Sequence, residues 1–216
     1  IGLHFTLTEK VNSKHFIKSY FKNKNISLLE LLIRSKLSLI SFDKIYEILD
    51  YQYNSFIKAF NKQPDFIDGH QHIHQFPVVR DALIKFYKDK KLGSNNFFIR
   101  TTYPLYGSKD LLKQIIIKLS GAKAFARLVK NNNIPTNFGF SGLYRLNPES
   151  YENIRSCYKY FFSEVEHNSL IMCHPGLHVE GDKSLDEIAT RRVLEYKYFI
   201  SQDFDDDLKY AGLAIN

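Results

Sequence analysis

The order of the predicted elements indicates an α/β protein with a mostly parallel sheet. Short apolar or alternating segments, typical of strands, alternate with longer segments whose apolar residues recur at helical spacing. Polar residues that can take part in chemistry lie at the C-terminal ends of several of these strands, as they do in folds of this class. His70, Arg100 and His174 are three examples.

Each predicted strand is short. Ile1–Thr8 alternates apolar and polar residues with a period of two, which is typical of a half-buried strand. The other predicted strands are Phe66–His74, Asn96–Arg100, Gly139–Tyr144 and Ser169–Cys173. Parallel alignment of such strands needs helical connections between them, and the intervening segments provide these connections.

The predicted helices carry their apolar residues on one side. In Phe42–Asn61, for example, Ile45, Ile48 and Leu49 recur at helical spacing, and Pro64 ends the pattern. The predicted helices are Ser27–Ser38, Phe42–Asn61, Pro77–Lys90, Lys109–Lys130 with an interruption at Gly121, Ser150–His167, Ile188–Ile200 and Phe204–Ala211. Asn131–Thr136 and Pro175–Leu185 are predicted loops, and without a recognisable linker residues 1–216 are expected to form one domain.

Composition excludes several classes of protein. With 44% hydrophobic residues the 216-residue chain is not disordered, and no apolar run reaches the roughly 18–20 residues of a membrane span. The cysteines Cys157 and Cys173 cannot build a disulfide scaffold, so we expect a reducing compartment and a cytoplasmic protein. Cys173 lies in an apolar run and is predicted to be buried and inert. The net charge of +7 has no nucleic-acid-binding motif beside it, so nucleic acid is not an expected partner.

A histidine-rich segment, Asp68–His74, is the strongest local signal for chemistry. In a strand, Asp68, His70, His72 and His74 would all point to one face. Imidazole and carboxylate groups are the usual ligands of Zn²⁺, Mn²⁺ and related ions, so the cluster favours a metal site over a merely hydrogen-bonded strand end. His4 lies on the polar side of the first strand with Gly2 and Thr6. Taken alone it is ambiguous, since a lone strand histidine is more often structural, but in a parallel barrel it could converge with His70 on one ion.

Two further segments contain candidate functional residues. His174 follows an apolar strand and precedes a Pro-Gly turn, which is a suitable position for a general acid or base. Arg100 could bind a substrate oxygen or form a salt bridge at its strand end. Arg192 and Glu195 are predicted to pair on a helix face. The sequence lacks both a nucleophile elbow and a phosphate-binding glycine-rich loop, which argues against serine hydrolases and P-loop NTPases.

Four segments together resemble the YdjC-like carbohydrate deacetylases. They are Gly2–Thr8, Pro64–Pro77, Met172–Gly176 and Arg192–Glu195. The resemblance implies an incomplete or distorted (β/α) barrel of the polysaccharide-deacetylase type. It also implies a hydrolase that removes the N-acetyl group from an acetylated amino sugar or chitooligosaccharide, with a homodimer as one option for its assembly.

The resemblance further implies a divalent metal, usually described as Mg²⁺, with Zn²⁺ or Mn²⁺ as alternatives. Its ligands would be His4, His70 and an aspartate of an Asp-Asp-Phe-Gly motif that should precede the Gly-Leu-His strand. This motif is absent from the 216 residues, and the only methionine is Met172, so we expect an N-terminally truncated chain that lacks its first strand. His174 would protonate the leaving amine.

The same resemblance assigns supporting residues and leaves alternatives open. Arg100, His72 and His74 would bind the sugar or support the site. One alternative is a truncated, inactive remnant that only binds metal. Another is a metal-dependent phosphoesterase of barrel type, because His-x-His strands at barrel ends also serve phosphate chemistry.

Overall fold

A computed structural model describes residues 1–8, 26–93, 97–144, 150–177 and 188–215. The chain separates into two compact units, of which the first is Ile1–Tyr103 with Ile117–Asn137 and the second is Pro104–Ile116 with Phe138–Asn216. Each unit combines helices with parallel strands, which confirms the predicted α/β class. The barrel, and a single domain over residues 1–216, stay predictions.

The described elements follow the predicted order. They are β1 (Leu3–Phe5), α1 (Leu28–Lys36), α2 (Phe42–Phe60), β2 (Phe66–Gly69), a 3₁₀ segment (His70–Gln75), α3 (Val79–Asp89), β3 (Phe98–Ile99), α4 (Leu111–Leu119), α5 (Ala122–Asn131), β4 (Phe140–Ser141), α6 (Tyr151–Glu164), β5 (Leu170–Ile171), α7 (Ala189–Phe199) and α8 (Gln202–Tyr210). The predicted interruption at Gly121 separates α4 from α5. Residues 96 and 178–185 of the predicted strand and loop lie outside the described residues.

The sheet of the first unit has the strand order β1-β2-β3, and all its neighbouring strands are parallel. Phe5 and Ile67 are fully buried in its core, whereas His4, between Leu3 and Phe5, is exposed. The register aligns His4 with Asp68. The alternation and the register therefore place two polar residues, His4 and Asp68, next to each other in a sheet whose neighbouring side chains are apolar.

Local signals explain the boundaries of the longer helices. The Ser27 side chain accepts a hydrogen bond from the Glu30 backbone N–H at the start of α1, and Ser41 does the same for Lys44 at the start of α2. Asn61, in the left-handed region at φ 52°, ends α2. These helices therefore start and stop close to where their capping residues predict.

The second unit is built around aromatic side chains. Its two strands, β4 and β5, are parallel, with Phe140 aligned to Leu170. Tyr158 on α6 is fully buried and stacks on Tyr198 of α7, with 5.3 Å between the ring centroids. This packing fixes α7 against α6.

The predicted strand Phe66–His74 is wrong in its second half. β2 ends at Gly69, and the following 3₁₀ segment contains Gln71 at φ 51° and His72 at φ 61°. Left-handed residues break the strand alternation, so Asp68, His70, His72 and His74 do not share one strand face. Within the described residues, no helix is long and apolar enough to span a membrane.

Candidate metal and catalytic residues

A polar cluster lies where β1 and β2 end. The His4 Nδ1 atom is 2.6 Å from the Asp68 Oδ1 atom. Because a carboxylate can only accept, Nδ1 carries a proton, and in the neutral ring the lone pair is on Nε2. That Nε2 atom faces His70, whose Nδ1 atom is 3.4 Å away.

The spacing of the His4 and His70 nitrogens, which also allows a hydrogen bond between the rings, is compatible with two ligands of one divalent ion. Two nitrogens that each lie about 2.1 Å from one ion, at a tetrahedral angle, are separated by about 3.4 Å, in agreement with the observed distance. A carboxylate hydrogen-bonded to the other ring nitrogen, as Asp68 is to His4, is the usual support of a metal-binding histidine. Imidazole donors suit Zn²⁺ and other transition ions better than Mg²⁺, which prefers oxygen.

The described residues supply only part of a coordination sphere. Among them, no group of three or more histidine, cysteine, aspartate or glutamate side chains is placed to hold a metal ion. Asp68 was grouped with the histidines in the sequence because its side chain can bind metal. In the structure its carboxylate contacts His4 and Arg100 instead, which favours an orienting role.

Arg100 forms an ion pair with Asp68. The buried guanidinium places its Nη2 atom 3.3 Å from the Asp68 Oδ2 atom and donates to the Gly69 carbonyl at 2.9 Å. Burial raises the pKa of Asp68, but the hydrogen bond from His4 and the charge of Arg100 outweigh this effect and hold the pKa below its usual value. Asp68 is therefore ionised at neutral pH, and the salt bridge that the sequence allowed for Arg100 is present.

His74 is part of the core beneath the cluster. Its side chain is fully buried, and its Nε2 atom lies 3.0 Å from the Arg100 carbonyl oxygen, to which it can only donate. A Cβ atom on Gly69 would lie 2.6 Å from the His74 Nδ1 atom, so this close approach requires glycine. The burial favours a supporting role for His74, and contact with a sugar stays a prediction, as it does for the half-buried His72.

The lowered pKa of His74 predicts a loss of stability in mild acid. Burial and the neighbouring Arg100 lower its pKa from 6.5 to about 3. Because this pKa is lower in the folded than in the unfolded chain, protonation favours unfolding. The contribution is complete above about pH 6.5 and is lost as the pH falls toward 3. Between about pH 7 and pH 5 the free energy of unfolding should fall by on the order of 2 kcal/mol.

Urea unfolding at both pH values checks this prediction. His74→Gln removes the titrating group and keeps a donor for the Arg100 carbonyl, so its pH dependence should be flatter than that of the unchanged chain. His167→Gln replaces an exposed histidine and should leave the dependence unchanged. Equal pH dependences for the chain and the His74→Gln variant would contradict the assigned ionisation.

His174 belongs to the second unit, where it contacts a buried polar network. Its backbone N–H donates to the Glu195 carboxylate, and the Arg191 Nη2 atom lies 3.4 Å from its Nδ1 atom. Arg191 and Glu195 are both buried, and the Arg191 Nε atom lies 2.8 Å from the Glu195 Oε1 atom. The Tyr144 hydroxyl donates to Glu195 and accepts from Arg191 at 2.6 Å.

The network sets the hydrogen-bonding state of His174. A guanidinium can only donate, so Nδ1 accepts and the ring proton lies on Nε2. Burial and the Glu195 charge raise the pKa of Tyr144 well above its usual value, so Tyr144 stays a neutral donor. His174 is thus held through its backbone by Glu195 and through its ring by Arg191.

Comparisons with known proteins identify the family of this chain. The family model described as YdjC-like protein matches residues 1–210. The chain belongs to the YdjC-like family. The predicted resemblance is thereby confirmed.

A curated relative and a solved structure are similar to this YdjC-like chain. A chitooligosaccharide deacetylase of Yersinia enterocolitica (serotype O:8 / biotype 1B) is 27% identical over 92 residues, which are 43% of this chain and 36% of that protein. The match thus spans about a third of the relative's length. A crystal structure of an Enterococcus faecalis V583 protein, provisionally described as a cellobiose-phosphate cleavage protein, shares the fold at 17% identity. Its TM-score is 0.64, and the alignment covers all of this chain and 75% of that one.

The second unit of the YdjC-like protein corrects the predicted partner of Glu195. Glu195 pairs with Arg191, four residues before it, and not with the predicted Arg192; the Arg192 carbonyl accepts from the Gly176 N–H at 3.0 Å. The four-residue spacing of Arg191 and Glu195 was a signal for this pair that the sequence analysis missed. Tyr144 was also missed, because nothing in the sequence marks the end of β4 as polar.

Cys173 is exposed, whereas the sequence predicted a buried residue. Strand β5 ends at Ile171, before this cysteine, so the apolar run does not continue into the core. Burial of the sulfur and the charge of Glu195 still raise the pKa of the thiol to about 11. The thiol therefore stays protonated at neutral pH and is a poor nucleophile, as expected.

Proposed function

We propose that this protein is a metal-dependent carbohydrate deacetylase that hydrolyses the N-acetyl group of an acetylated amino sugar or chitooligosaccharide. The observation that carries the proposal is the line of contacts from Asp68 through His4 to His70. The family membership and the name of the Yersinia relative support the substrate class.

In this proposal the first unit prepares two nitrogen ligands. Arg100 keeps Asp68 ionised, and Asp68 holds the proton of His4 on Nδ1, so the Nε2 lone pair faces His70. When bound, a divalent ion supplies Lewis-acid polarisation of the acetyl carbonyl. The chain's own contribution is to fix the orientation and the protonation state of the two imidazoles before substrate arrives.

The proposed proton donor is His174. Arg191 at Nδ1 leaves Nε2 as the atom that carries the exchangeable proton, and the leaving amine of a deacetylation needs a proton when the C–N bond breaks. Glu195 fixes the backbone of His174, and its negative charge offsets that of Arg191 next to the ring. His72 and Arg100 remain proposed as supporting residues of the sugar site.

Removal and return of metal tests the proposal. The full chain is treated with a chelator and assayed for acetate release from diacetylchitobiose, then again after addition of Mg²⁺, Mn²⁺ or Zn²⁺. We expect acetate release to fall to background without metal and to return with at least one ion. Because the donors are imidazoles, Zn²⁺ or Mn²⁺ should restore activity at lower concentration than Mg²⁺.

Two outcomes would overturn the proposal in different ways. Hydrolysis of an aryl phosphate without any acetate release would replace the deacetylase with the phosphoesterase alternative. Stoichiometric metal binding without turnover of either substrate would leave a protein that only binds metal.

A further inference from the structure

A side-chain hydrogen bond joins the two chain segments that carry His4 and His70. The Thr8 hydroxyl donates to the Gln71 Oε1 atom at 2.9 Å. Thr8 lies four residues after His4, and Gln71 directly follows His70. The bond therefore spans the strand ends at which the His4 Nε2 and His70 Nδ1 atoms are 3.4 Å apart. It ties the Gln71 side chain to the segment that follows β1, next to the candidate metal ligands.

Two glutamine side chains contact the segment after His4, but they use their amide groups differently. The Gln52 Nε2 atom donates to the Thr6 carbonyl at 2.7 Å, and its Oε1 atom accepts from the Thr6 backbone N–H at 3.0 Å. Both groups of this amide are therefore used by the backbone, which gives Gln52 a structural role. Gln71 is exposed, and Thr8 occupies its Oε1 atom, but none of the described residues accepts from its Nε2 atom. These N–H groups are available to a ligand.

The backbone of Gln71 has a conformation that favours glycine. Gln71 (φ 51°) and His72 (φ 61°) both lie in the left-handed region. In the part of the chain that the structure describes, they are the only two adjacent non-glycine residues with positive φ. Such residues persist only where the surrounding structure enforces them, and they concentrate at functional sites. A long polar side chain at a position that favours glycine indicates that the side chain has a role.

We infer that Gln71 and Thr8 together bind one hydroxyl group of the sugar substrate, an inference that rests on the proposed deacetylase function. The Gln71 Nε2 atom can only donate, and the Thr8 oxygen, whose proton goes to Gln71, can only accept. A hydroxyl group can accept from the first and donate to the second through one atom. An ionised carboxylate cannot donate, and an ammonium group cannot accept. The pair therefore selects a neutral hydroxyl group and positions the sugar beside the two imidazoles.

Titration calorimetry and acetate-release kinetics on the full chain test the inference. Diacetylchitobiose is first titrated into chelator-treated protein, so that binding is measured without turnover. Gln71→Ala removes the amide donor and should weaken binding about three- to ten-fold, the usual effect of one neutral hydrogen bond. With metal present, kcat/KM should fall by a similar factor while the metal affinity stays the same. Gln63→Ala replaces another exposed glutamine of the same unit and should change none of these values.

A glycine variant separates the side chain of Gln71 from its backbone. Gln71→Gly removes the same amide but suits the left-handed conformation, so its Tm should exceed that of Gln71→Ala by about 2–4 °C. Both variants should weaken diacetylchitobiose binding equally, because both lack the donor. A loss of binding in Gln71→Ala that Gln71→Gly does not share would assign the effect to the backbone and overturn the inference.

Monodeoxy analogues of diacetylchitobiose identify the contacted group. Gln71→Ala should weaken the binding of every analogue except the one that lacks the contacted hydroxyl. An equal loss for all analogues, unchanged binding in Gln71→Ala, or no binding of diacetylchitobiose to the unchanged chain would overturn the inference. If sugar binding depends on Gln71 but the metal-loaded chain releases no acetate, the inference stands and the deacetylase proposal fails. If acetate is released equally with and without the Gln71 amide, the deacetylase stands and the inference fails.

Discussion

Replacing His70 by alanine is expected to lower both metal affinity and acetate release by more than about 100-fold. His70 provides one of the two imidazole nitrogens that face each other at 3.4 Å. Loss of a group that only orients a ligand costs about 10–100-fold in affinity or activity, so loss of a ligand itself should cost more. Calorimetric titration of the metal and an acetate assay, both on the full chain, measure the two effects.

A graded series makes this prediction specific. Asp68→Asn removes the charge that fixes the His4 proton, and should cost about 10–100-fold while leaving both imidazoles in place. His167→Ala removes an exposed histidine of the second unit and should change neither measurement. Metal affinity and activity that survive in His70→Ala would remove His70 from the site, and an equal loss in His167→Ala would point to unfolding.

The helices were predictable because their signals are local. Apolar periodicity lies within a few residues of the backbone that it determines, so the Ile45–Leu49 spacing was enough to place α2. The end of β2 was not predictable in this way. Continued alternation after Gly69 resembles a strand, but the chain turns there because the His74 ring packs against Gly69 and donates to the Arg100 carbonyl.

The candidate site was predictable in its residues and not in its contacts. The sequence identified His4, His70 and Asp68, since these residue types lie on the polar faces of two predicted strands. It did not show that the register would align His4 with Asp68, because register depends on the packing of residues more than sixty positions apart. That alignment turns an apparent metal-binding carboxylate into a partner of His4.

The buried pair in the second unit leads to the second large prediction, which concerns stability. Arg191→Leu is expected to lower the free energy of unfolding by about 3–5 kcal/mol. The substitution leaves the carboxylate of Glu195, which is fully buried, without the guanidinium that lies 2.8 Å from it. Urea unfolding followed by circular dichroism measures the change.

An exposed pair with the same spacing is the matched control. Arg34 and Glu30 are also four residues apart, at 2.7 Å, but about half of each side chain is exposed, so Arg34→Leu should cost no more than about 0.5 kcal/mol. Replacing both Arg191 and Glu195 by leucine removes the stranded charge and should recover part of the loss. If Arg191→Leu and Arg34→Leu lower the free energy of unfolding equally, the buried network does not stabilise this unit. The proposed positioning of His174 by this network is then wrong. If only Arg191→Leu is destabilising and the double variant recovers stability without recovering acetate release, the charges are needed at His174 for the reaction and not merely for the fold.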